Sequence, residues 1–284
     1  MTEEKNKVVG GMLYLVSTPI GNLADMSERA LKVLGEVDFI AAEDTRNTLK
    51  LLRAFGISKP MVSYHQHNRA EMGERIAERL DSGESCALVT DAGTPAISDP
   101  GEDLVVLCAE RGIPVTAVPG ACAFITALAL SALPTAKFVF EGFLPVGNKE
   151  RREILSSLST ERRTVIFHEA PHKLRKTLAD LGTYFGADRR ISLCRELTKL
   201  NEQILRTTVG EAIAYYESAE PKGEYVLVLD GYSGETQKER DMTPDEAIAY
   251  YEEQGMSRNE AIKAAAKQLG ISRNELYKMM LEKD

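Results

Sequence analysis

The sequence predicts an α/β protein of two domains followed by a small helical module, and three observations carry that prediction. From Leu13 to Val118, short apolar runs alternate with amphipathic helical stretches, the pattern of βαβ units on a mostly parallel sheet. At Lys137 the pattern changes to more numerous strands interleaved with helices. After the polar run Ser233–Asp241, which reads as a linker, three helix starts follow one grammar. The predicted domains are residues 1–137, residues 138–235, and a linker with helices over 236–284.

Taken in order, the first domain is predicted to hold strands at Leu13–Val16, Phe39–Ala42, Met61–Tyr64, Ala87–Val89 and Val115–Val118. Helices are expected near Ser27–Leu34, Thr45–Phe55, Arg69–Leu80 and Glu102–Glu110. The small-residue run Ala121–Leu130 reads as a buried helix, ended by Ser131-Ala-Leu-Pro134. The second domain is predicted to hold strands at Phe138–Phe140, Thr164–Phe167, Ile191–Leu193, Ile204–Thr208 and Tyr225–Leu229. Its helices lie near Lys149–Leu158, Lys173–Leu181 and Gly210–Ser218. In the last module Thr243 with Glu246, Ser257 with Glu260 and Ser272 with Glu275 are capping boxes, and Gly255 and Gly270 mark helix stops. Ala261–Tyr277 has helix-turn-helix spacing, but Arg273 and Lys278 are nearly all its positive charge. A packing or RNA-docking module fits it better than a DNA reader.

The 284 residues are 43% hydrophobic and 27% charged, with no apolar run long enough to span a membrane. Met1–Lys7 lacks the apolar core of a signal peptide, which predicts a cytoplasmic protein. Cys86, Cys108, Cys122 and Cys194 form no C-x-x-C pair and no metal-finger spacing, so free thiols are expected. The net charge of −8 argues against a large nucleic-acid-coating surface, yet Lys137–Gly210 holds 14 Lys and Arg against 9 Asp and Glu. Arg151, Arg152, Arg162 and Arg163 in that stretch read either as solvated helix faces or as a polyanion-binding rim.

Two glycine- and proline-set loops, Ser17-Thr-Pro-Ile-Gly-Asn22 and Asp91-Ala-Gly-Thr-Pro-Ala-Ile-Ser-Asp-Pro-Gly101, follow apolar strands directly. In open α/β sheets ligands bind outside the carboxyl ends of the strands, where these loops fall. Neither is a G-x-G-x-x-G or P-loop motif and neither contains Lys or Arg, so the ligand is not expected to be held by phosphates. Val118-Pro-Gly-Ala-Cys-Ala-Phe124, Glu141-Gly-Phe-Leu-Pro145 and His168-Glu-Ala-Pro-His172 are further strand-end turns. Together they predict a cleft gripping a zwitterionic or nucleoside ligand mainly through backbone groups. Glu43, Asp44 and Arg46 fall at the same strand ends, although Asp44 or Thr45 also fits a helix cap. His65-Gln-His67 lacks further ligands for a metal, and Asn68 with Glu71 reads as the next cap; no metal site is expected.

Several strings carry a family resemblance: Leu13–Leu23, Ala41–Arg46, Ser63–Asn68, Asp91–Gly101, Phe140–Pro145 and Cys194-Arg-Glu-Leu-Thr-Lys199. Together they resemble the bacterial small-subunit ribosomal RNA (cytidine-2′-O)-methyltransferases of the tetrapyrrole methylase superfamily, the class III S-adenosylmethionine-dependent methyltransferases. The resemblance runs from about residue 11 to 231, and the C-terminal helices resemble that branch's extension. It implies two α/β domains with S-adenosylmethionine in the cleft between them, a homodimer, and small-subunit ribosomal RNA or the assembled subunit as substrate. By position, Pro19, Asp91, Ala92, Gly93, Thr94, Gly120, Ala121 and Cys122 resemble the first-domain donor contacts. Ala170, Pro171, Arg195, Glu196, Leu197 and Glu224 resemble those of the second domain. Superfamily members acting on corrinoids or porphyrins tend to carry G-x-G-x-G and Gly-Asp-Pro in the two loops; this chain has neither, which favours the RNA branch.

A ribose hydroxyl needs a base, or a cation that stabilises the developing alkoxide. Glu43 or Asp44 as base or orienter, with Arg46 and Lys199 as stabilisers or phosphate clamps, are the catalytic candidates, and spacing singles out none of them. His65, Arg151, Arg152, Arg162 and Arg163 are the candidate RNA contacts, and Tyr64 or Phe143 could stack on a flipped base or belong to the core. Two rival readings stand: a tetrapyrrole or diphthine-type methylase of the same fold, and a non-catalytic RNA-binding assembly protein.

Overall fold

The computed structural model describes residues 7–234, 243–253, 256–269, 271–273 and 275–276. The first stretch forms strands β1 (Leu13–Val16), β2 (Phe39–Ala42), β3 (Met61–Ser63), β4 (Cys86–Val89) and β5 (Val115–Val118). They make one sheet in the order β3-β2-β4-β1-β5, and every pairing in it is parallel. Its central strands are buried on both faces, as the unbroken apolar runs demand. Helices α1 (Glu28–Glu36) and α2 (Thr45–Ala54) cover one face, where Val33, Leu34 and Leu52 meet Tyr14, Val16 and Ile40. Helices α3 (Arg69–Asp81) and α4 (Glu102–Arg111) cover the other, where Ile76, Leu80 and Leu104 meet Leu13, Phe39 and Leu88.

Helix α5 (Ala123–Leu130) departs from the sequence reading. Its Ala127 and Leu128 pack not on the first sheet but on Ile166, Cys194 and Val228 of the second. Only that face is covered, and Ile125 on the other is 45% exposed, so the helix expected to be buried is half-buried. A helix apolar all round reports a contact without saying how many faces it serves.

The second sheet holds β6 (Phe138–Phe143), β7 (Thr164–Glu169), β8 (Arg190–Arg195), β9 (Gln203–Thr208) and β10 (Tyr225–Leu229) in the order β6-β7-β10-β8-β9. Only β6 and β7 pair in parallel, and the remaining pairings are antiparallel. Helices α6 (Asn148–Leu158), α7 (Leu174–Phe185) and α8 (Val209–Ser218) bury Leu155, Leu178 and Val209 against the face opposite α5. Strand β6 shifts register between Phe140 and Gly142, a bulge of the kind that re-aims side chains beside active sites.

Past the second sheet, α9 (Pro244–Glu253) and α10 (Arg258–Gln268) share a core of Ala247, Ile248, Ala261, Ile262, Ala265 and Leu276. The backbone N–H groups of Thr243, Ser257 and Ser272 each donate to the Glu three residues on, the reciprocal half of a capping box. The expected stops Gly255 and Gly270, the positions Lys278 and Tyr277, and residues 235–241 of the expected linker lie outside the described residues. Among the described residues no helix is long and apolar enough to cross a membrane, no His, Cys, Asp and Glu cluster suits a metal, and all four cysteines are free.

Candidate functional site

The strand-end loops of the first sheet are tied to one another before they meet the second. Thr18 and Gly93 exchange backbone hydrogen bonds of 2.8 and 3.0 Å, and the Thr18 hydroxyl donates to the Thr90 carbonyl at 3.1 Å. Thr94 Oγ1 shares a hydrogen bond with Ser17 Oγ at 3.0 Å and donates to the Ala121 carbonyl at 3.1 Å. Asp91 is held by its N–H donating to Glu43 Oε2 at 3.2 Å and by Asn47 Nδ2 donating to its carboxylate at 3.0 Å. The structure thus brings Glu43, Asp91, Gly93, Thr94 and Ala121 into one hydrogen-bonded edge.

Across from that edge lie the ends of β7 and β8 and the start of β10, and between them opens a cleft of about 490 Å³. Ala92, Ala170, Pro171, Leu197, Lys199 and Glu224 line it, joined by Ile20, Ser98, Asp99, Phe143, His168 and Glu169. Pro19 and Asp91 line an adjoining groove with Gly21, Asn47 and Lys50. Gly120 and Cys122 stand just before α5, whose first residue, Ala123, reaches the cleft.

The second-sheet side is braced by charge. Lys199 Nζ donates to Glu196 Oε1 and Glu224 Oε2, each at 2.8 Å, and the Glu224 N–H donates to Glu196 Oε1 at 3.0 Å. Burial works against the Lys199 ammonium, but the two carboxylates outweigh it and hold its pKa above the ordinary lysine value. The Glu196 carboxyl is lowered by Lys199 first and by the Glu224 N–H second. Glu196 and Thr198 adopt left-handed φ of 51° and 65°, and a Cβ on Gly21 would come within 2.3 Å of Lys199 Cγ. The loop after β8 is therefore pressed against the loop after β1.

Two of the expected assignments change, and one alternative left open is resolved. Asp44 caps α2: its carboxylate accepts from the Arg46 N–H at 2.8 Å and from the Arg46 guanidinium at 3.1 and 2.6 Å, which holds its pKa at about 2. A carboxylate so acidic and so engaged is a poor proton acceptor near neutral pH, and the geometry gives Asp44 the role of helix cap, the alternative its spacing also fits. Arg46 keeps that partner while its side chain stays 85% exposed. Arg151 is no RNA contact: its side chain is 5% exposed and pairs with Asp180. Tyr64 is core, fully buried with its hydroxyl donating to Asp103 at 2.9 Å.

The other RNA candidates separate. Arg152 is exposed in the second turn of α6, with Nε donating to the Asn148 carbonyl. Arg162 and Arg163 precede β7, whose other end carries His168 and Glu169; a strand of that length spans roughly 17–20 Å. They stand at the end of the sheet away from the cleft, and Arg163 is engaged by Glu161. His65 lies at the end of β3 with a buried, unpartnered Nδ1. Phe143 is 57% exposed at the cleft and meets His168 edge-on at 5.3 Å, so of the two aromatic candidates it alone is free to stack.

A family model described as Tetrapyrrole (Corrin/Porphyrin) Methylases matches residues 12–213. The chain belongs to that family. Among its tetrapyrrole methylase relatives, a Synechocystis sp. protein named Ribosomal RNA small subunit methyltransferase I is 47% identical, with 96% of this chain and 98% of that one covered. A protein of the same name from Halalkalibacterium halodurans is 45% identical over 94% of this chain and 93% of that one. A solved uroporphyrin-III C-methyl transferase from Thermus thermophilus, complexed with S-adenyl homocysteine, matches with a TM-score of 0.53 at 16% identity, covering 76% of this chain and 96% of that one. That last likeness is one of fold.

The cleft of this tetrapyrrole methylase includes groups the sequence reading passed over. Asp99 was legible only as part of a Ser-Asp-Pro-Gly turn, where Asp is an ordinary turn residue. His168 opens the strand-end turn His168–His172, and Nε2 of its ring is buried without a partner. Burial lowers its pKa, against the pull of Glu224.

Proposed function

We propose that this chain transfers the methyl group of S-adenosylmethionine to the 2′-hydroxyl of a cytidine in the decoding region of small-subunit ribosomal RNA. The observation that carries the reading is near-full-length similarity to proteins named Ribosomal RNA small subunit methyltransferase I. The cleft supports it. Asp99, Glu169 and Glu224 outnumber Lys199 in the lining, so the cavity is acidic, as suits a cationic sulfonium and not a phosphate-anchored cofactor. Buried polar atoms without partners, His168 Nε2, Arg195 Nε and Thr198 Oγ1, belong to the lining, to the last residue of β8 and to the loop that follows it, where a polar ligand would satisfy them.

When bound, the donor supplies an electrophilic methyl group for in-line displacement. The chain's residues do the positioning. Turns Ala92–Thr94, Gly120–Cys122, Ala170–Pro171 and Arg195–Leu197 offer backbone groups on two sides, with Pro19 at the rim and Glu224 held by Lys199. Glu43 acts on Asp91, fixing the loop. Phe143 offers a face for the target base, and His65, Arg46 and Arg152 form the substrate rim. The reading also includes a cytoplasmic homodimer, for which Leu200, 99% exposed in the loop after β8, and Ile125 on α5 provide apolar surface. The helical module acts as an RNA or subunit docking unit.

The test is methyl transfer to small subunits and to naked small-subunit RNA, with 2′-O-methyl mapping in cells with and without the gene. Loss of one 2′-O-methylcytidine in the decoding region is expected. An unchanged map together with methylation of a tetrapyrrole or a protein would move the reading to the rival methylases. Donor binding without turnover on any of these substrates would favour the assembly protein.

A second expectation concerns the rim. Exchanging Arg46 and Arg152 together for Ala is expected to weaken RNA binding and flatten the salt dependence by roughly 0.7–0.9 in log–log slope per lost phosphate contact. Exchanging Arg162 and Arg163 should leave that slope in place. Binding titrations between low and moderate salt decide, and the opposite ranking would move the RNA path to the far end of β7.

A further inference from the structure

We propose that the groove beside the cleft, between the loop after β1 and helix α2, is a subsite for one unpaired nucleobase of the RNA strand, the neighbour of the acceptor ribose. The inference rests on the methyl-transfer reading above and adds the part of the substrate that this groove takes. No bond forms or breaks there. The groove holds the strand in register while the ribose reaches the donor.

The first support is the partition between the two cavities. Ile20 lines the cleft, whereas Thr18, Pro19 and Gly21 of the same loop line the groove. One loop therefore separates the two spaces, and a strand that sets its acceptor ribose at the cleft carries the next base over that loop. The walls are fixed before any ligand arrives. Asn47 Nδ2 donates to Asp91 at 3.0 Å and ties α2 to the end of β4, while the paired Thr18 and Gly93 backbones tie the loop after β1 to the loop after β4. Asn22 Oδ1 accepts the Ala24 N–H at 3.0 Å and caps the single turn Leu23–Asp25, whose Leu23 forms part of the wall.

The second support is an orphaned hydroxyl. Thr90 stands just past β4 in the groove lining, 2% exposed, and its Oγ1 is buried without a hydrogen-bond partner. The Thr18 hydroxyl is already committed to the Thr90 carbonyl. A buried hydroxyl left unpaired works against folding, and in a cavity lining it marks where a polar atom of a ligand belongs. Around it the lining is apolar: Pro19, Leu51, Ala54, and Leu23, whose side chain is 52% exposed. A volume of about 320 Å³ gives room for a single base. A flat ring with apolar faces and a polar edge fits these walls.

The third support is charge. Arg46, Lys50 and Arg53 fall at i, i+4 and i+7 of α2 and so share one face. All three are exposed, Lys50 also lines the groove, and among the described residues neither Lys50 nor Arg53 has an ion-pair partner. A cationic row beside an apolar slot with a buried hydroxyl matches a single-stranded nucleotide, its phosphates outside and its base within. Phosphate alone would leave the slot empty, and an apolar side chain would leave Thr90 unpaired.

The experiment uses the full-length protein and saturating S-adenosylmethionine, with methylation rates followed against small-subunit concentration. Thr90→Val keeps the side-chain shape and removes the hydroxyl. It is expected to raise KM for the subunit about 3- to 10-fold, the worth of one hydrogen bond, with kcat and calorimetric donor affinity held within about twofold. Because the hydroxyl is unpaired in the free protein, the same variant should unfold at a temperature no lower than wild type. Ala54 is exposed on α2, so Ala54→Leu fills the groove without entering the core. It should raise KM at least ~10-fold, the worth of the apolar surface a base would bury. Lys50→Ala should flatten the salt dependence of RNA binding by roughly 0.7–0.9 in log–log slope. Binding of naked small-subunit RNA gives a readout independent of turnover, and Thr90→Val and Ala54→Leu should weaken it by the same factors.

Wild-type KM and RNA affinity in both Thr90→Val and Ala54→Leu overturn the subsite. So does a Thr90→Val protein that unfolds below wild type, because the hydroxyl would then serve the fold, and so does lost donor affinity in either variant, which would make the groove part of the donor site. A wild-type protein that methylates no ribose, yet whose RNA affinity falls in both variants, overturns the methyl-transfer reading and leaves the subsite. Ribose methylation that both variants leave unchanged overturns the subsite alone.

Discussion

Replacing Arg151 by Ala is expected to destabilise the protein by about 3–5 kcal/mol, the cost of breaking a buried charge pair from one side. The guanidinium donates from Nε to Asp180 at 2.7 Å and from Nη2 to the Thr177 hydroxyl at 2.7 Å. Thr177 in turn donates to Glu169, whose other oxygen accepts the Ala170 N–H at 2.8 Å. The chain of bonds runs from α6 through α7 to the end of β7 and stops at the turn proposed to hold the methyl donor. Loss of Arg151 therefore removes a partner from Asp180 and frees Thr177 from one of its two bonds, and donor affinity should fall along with stability. Arg151→Lys should rescue only part, because an ammonium does not reproduce two divergent guanidinium bonds. Arg163→Ala is the contrast: its side chain is half exposed, and an exposed pair contributes little. Urea unfolding and donor calorimetry on the three variants decide the matter. A stable Arg151→Ala protein with weakened RNA binding would return Arg151 to the surface role its sequence neighbourhood implies.

That reversal marks where sequence reading stops. The Arg151-Arg152 pair looks like a basic edge, yet on a helix adjacent positions point about 100° apart, and one faces the core while its neighbour faces water. Which one is which depends on Asp180 and Thr177, almost thirty residues away. Strand limits were legible because apolar runs bounded by turn residues encode them locally: β1, β2, β5 and β10 fall where the runs place them. The capping boxes were legible for the same reason. Strand order was not. The antiparallel place of β10 between β7 and β8 follows from long-range packing that no local pattern carries. In the site, loops tied by short-range glycine and proline signals were read from the chain, whereas the place of Asp99 in the cleft lining was not. Local spacing put Asp44 beside an arginine and made it look reactive, and that same arginine ties it up. Asp99 looked like a turn residue, and its environment comes from Glu43, Asp91 and a β6 bulge distant in sequence.

The glycines of the donor edge give the other large expected effect. Gly93→Val is expected to lower affinity for S-adenosylmethionine at least ~100-fold, about 2.7 kcal/mol, while the protein remains folded. Gly93 has φ +87°, and its Cβ would sit 3.5 Å from Ile20 Cγ2 and 3.9 Å from the Ala121 carbonyl oxygen. A first carbon fits there, but the branches of valine must spread toward the Ile20 wall of the cleft or toward the turn before α5. The backbone must also hold a β-branched residue in a left-handed conformation, a strain of about 1–3 kcal/mol. That is affordable against a total stability of about 5–15 kcal/mol, so the fold survives while the Thr18–Gly93 pairing and the donor edge shift. Gly120→Ala reaches the same edge from another side. Its φ is ordinary, yet its Cβ would lie 2.8 Å from Ser17 Cβ, forcing apart the residue that bonds Thr94. Gly35→Ala serves as the control, because its Cβ meets nothing within 4 Å and alanine favours the helix by about 0.5–1 kcal/mol. Calorimetry with S-adenosylmethionine, beside thermal unfolding of all three variants, reads the outcome. Wild-type affinity in both Gly93→Val and Gly120→Ala would place the donor outside the cleft that these loops enclose.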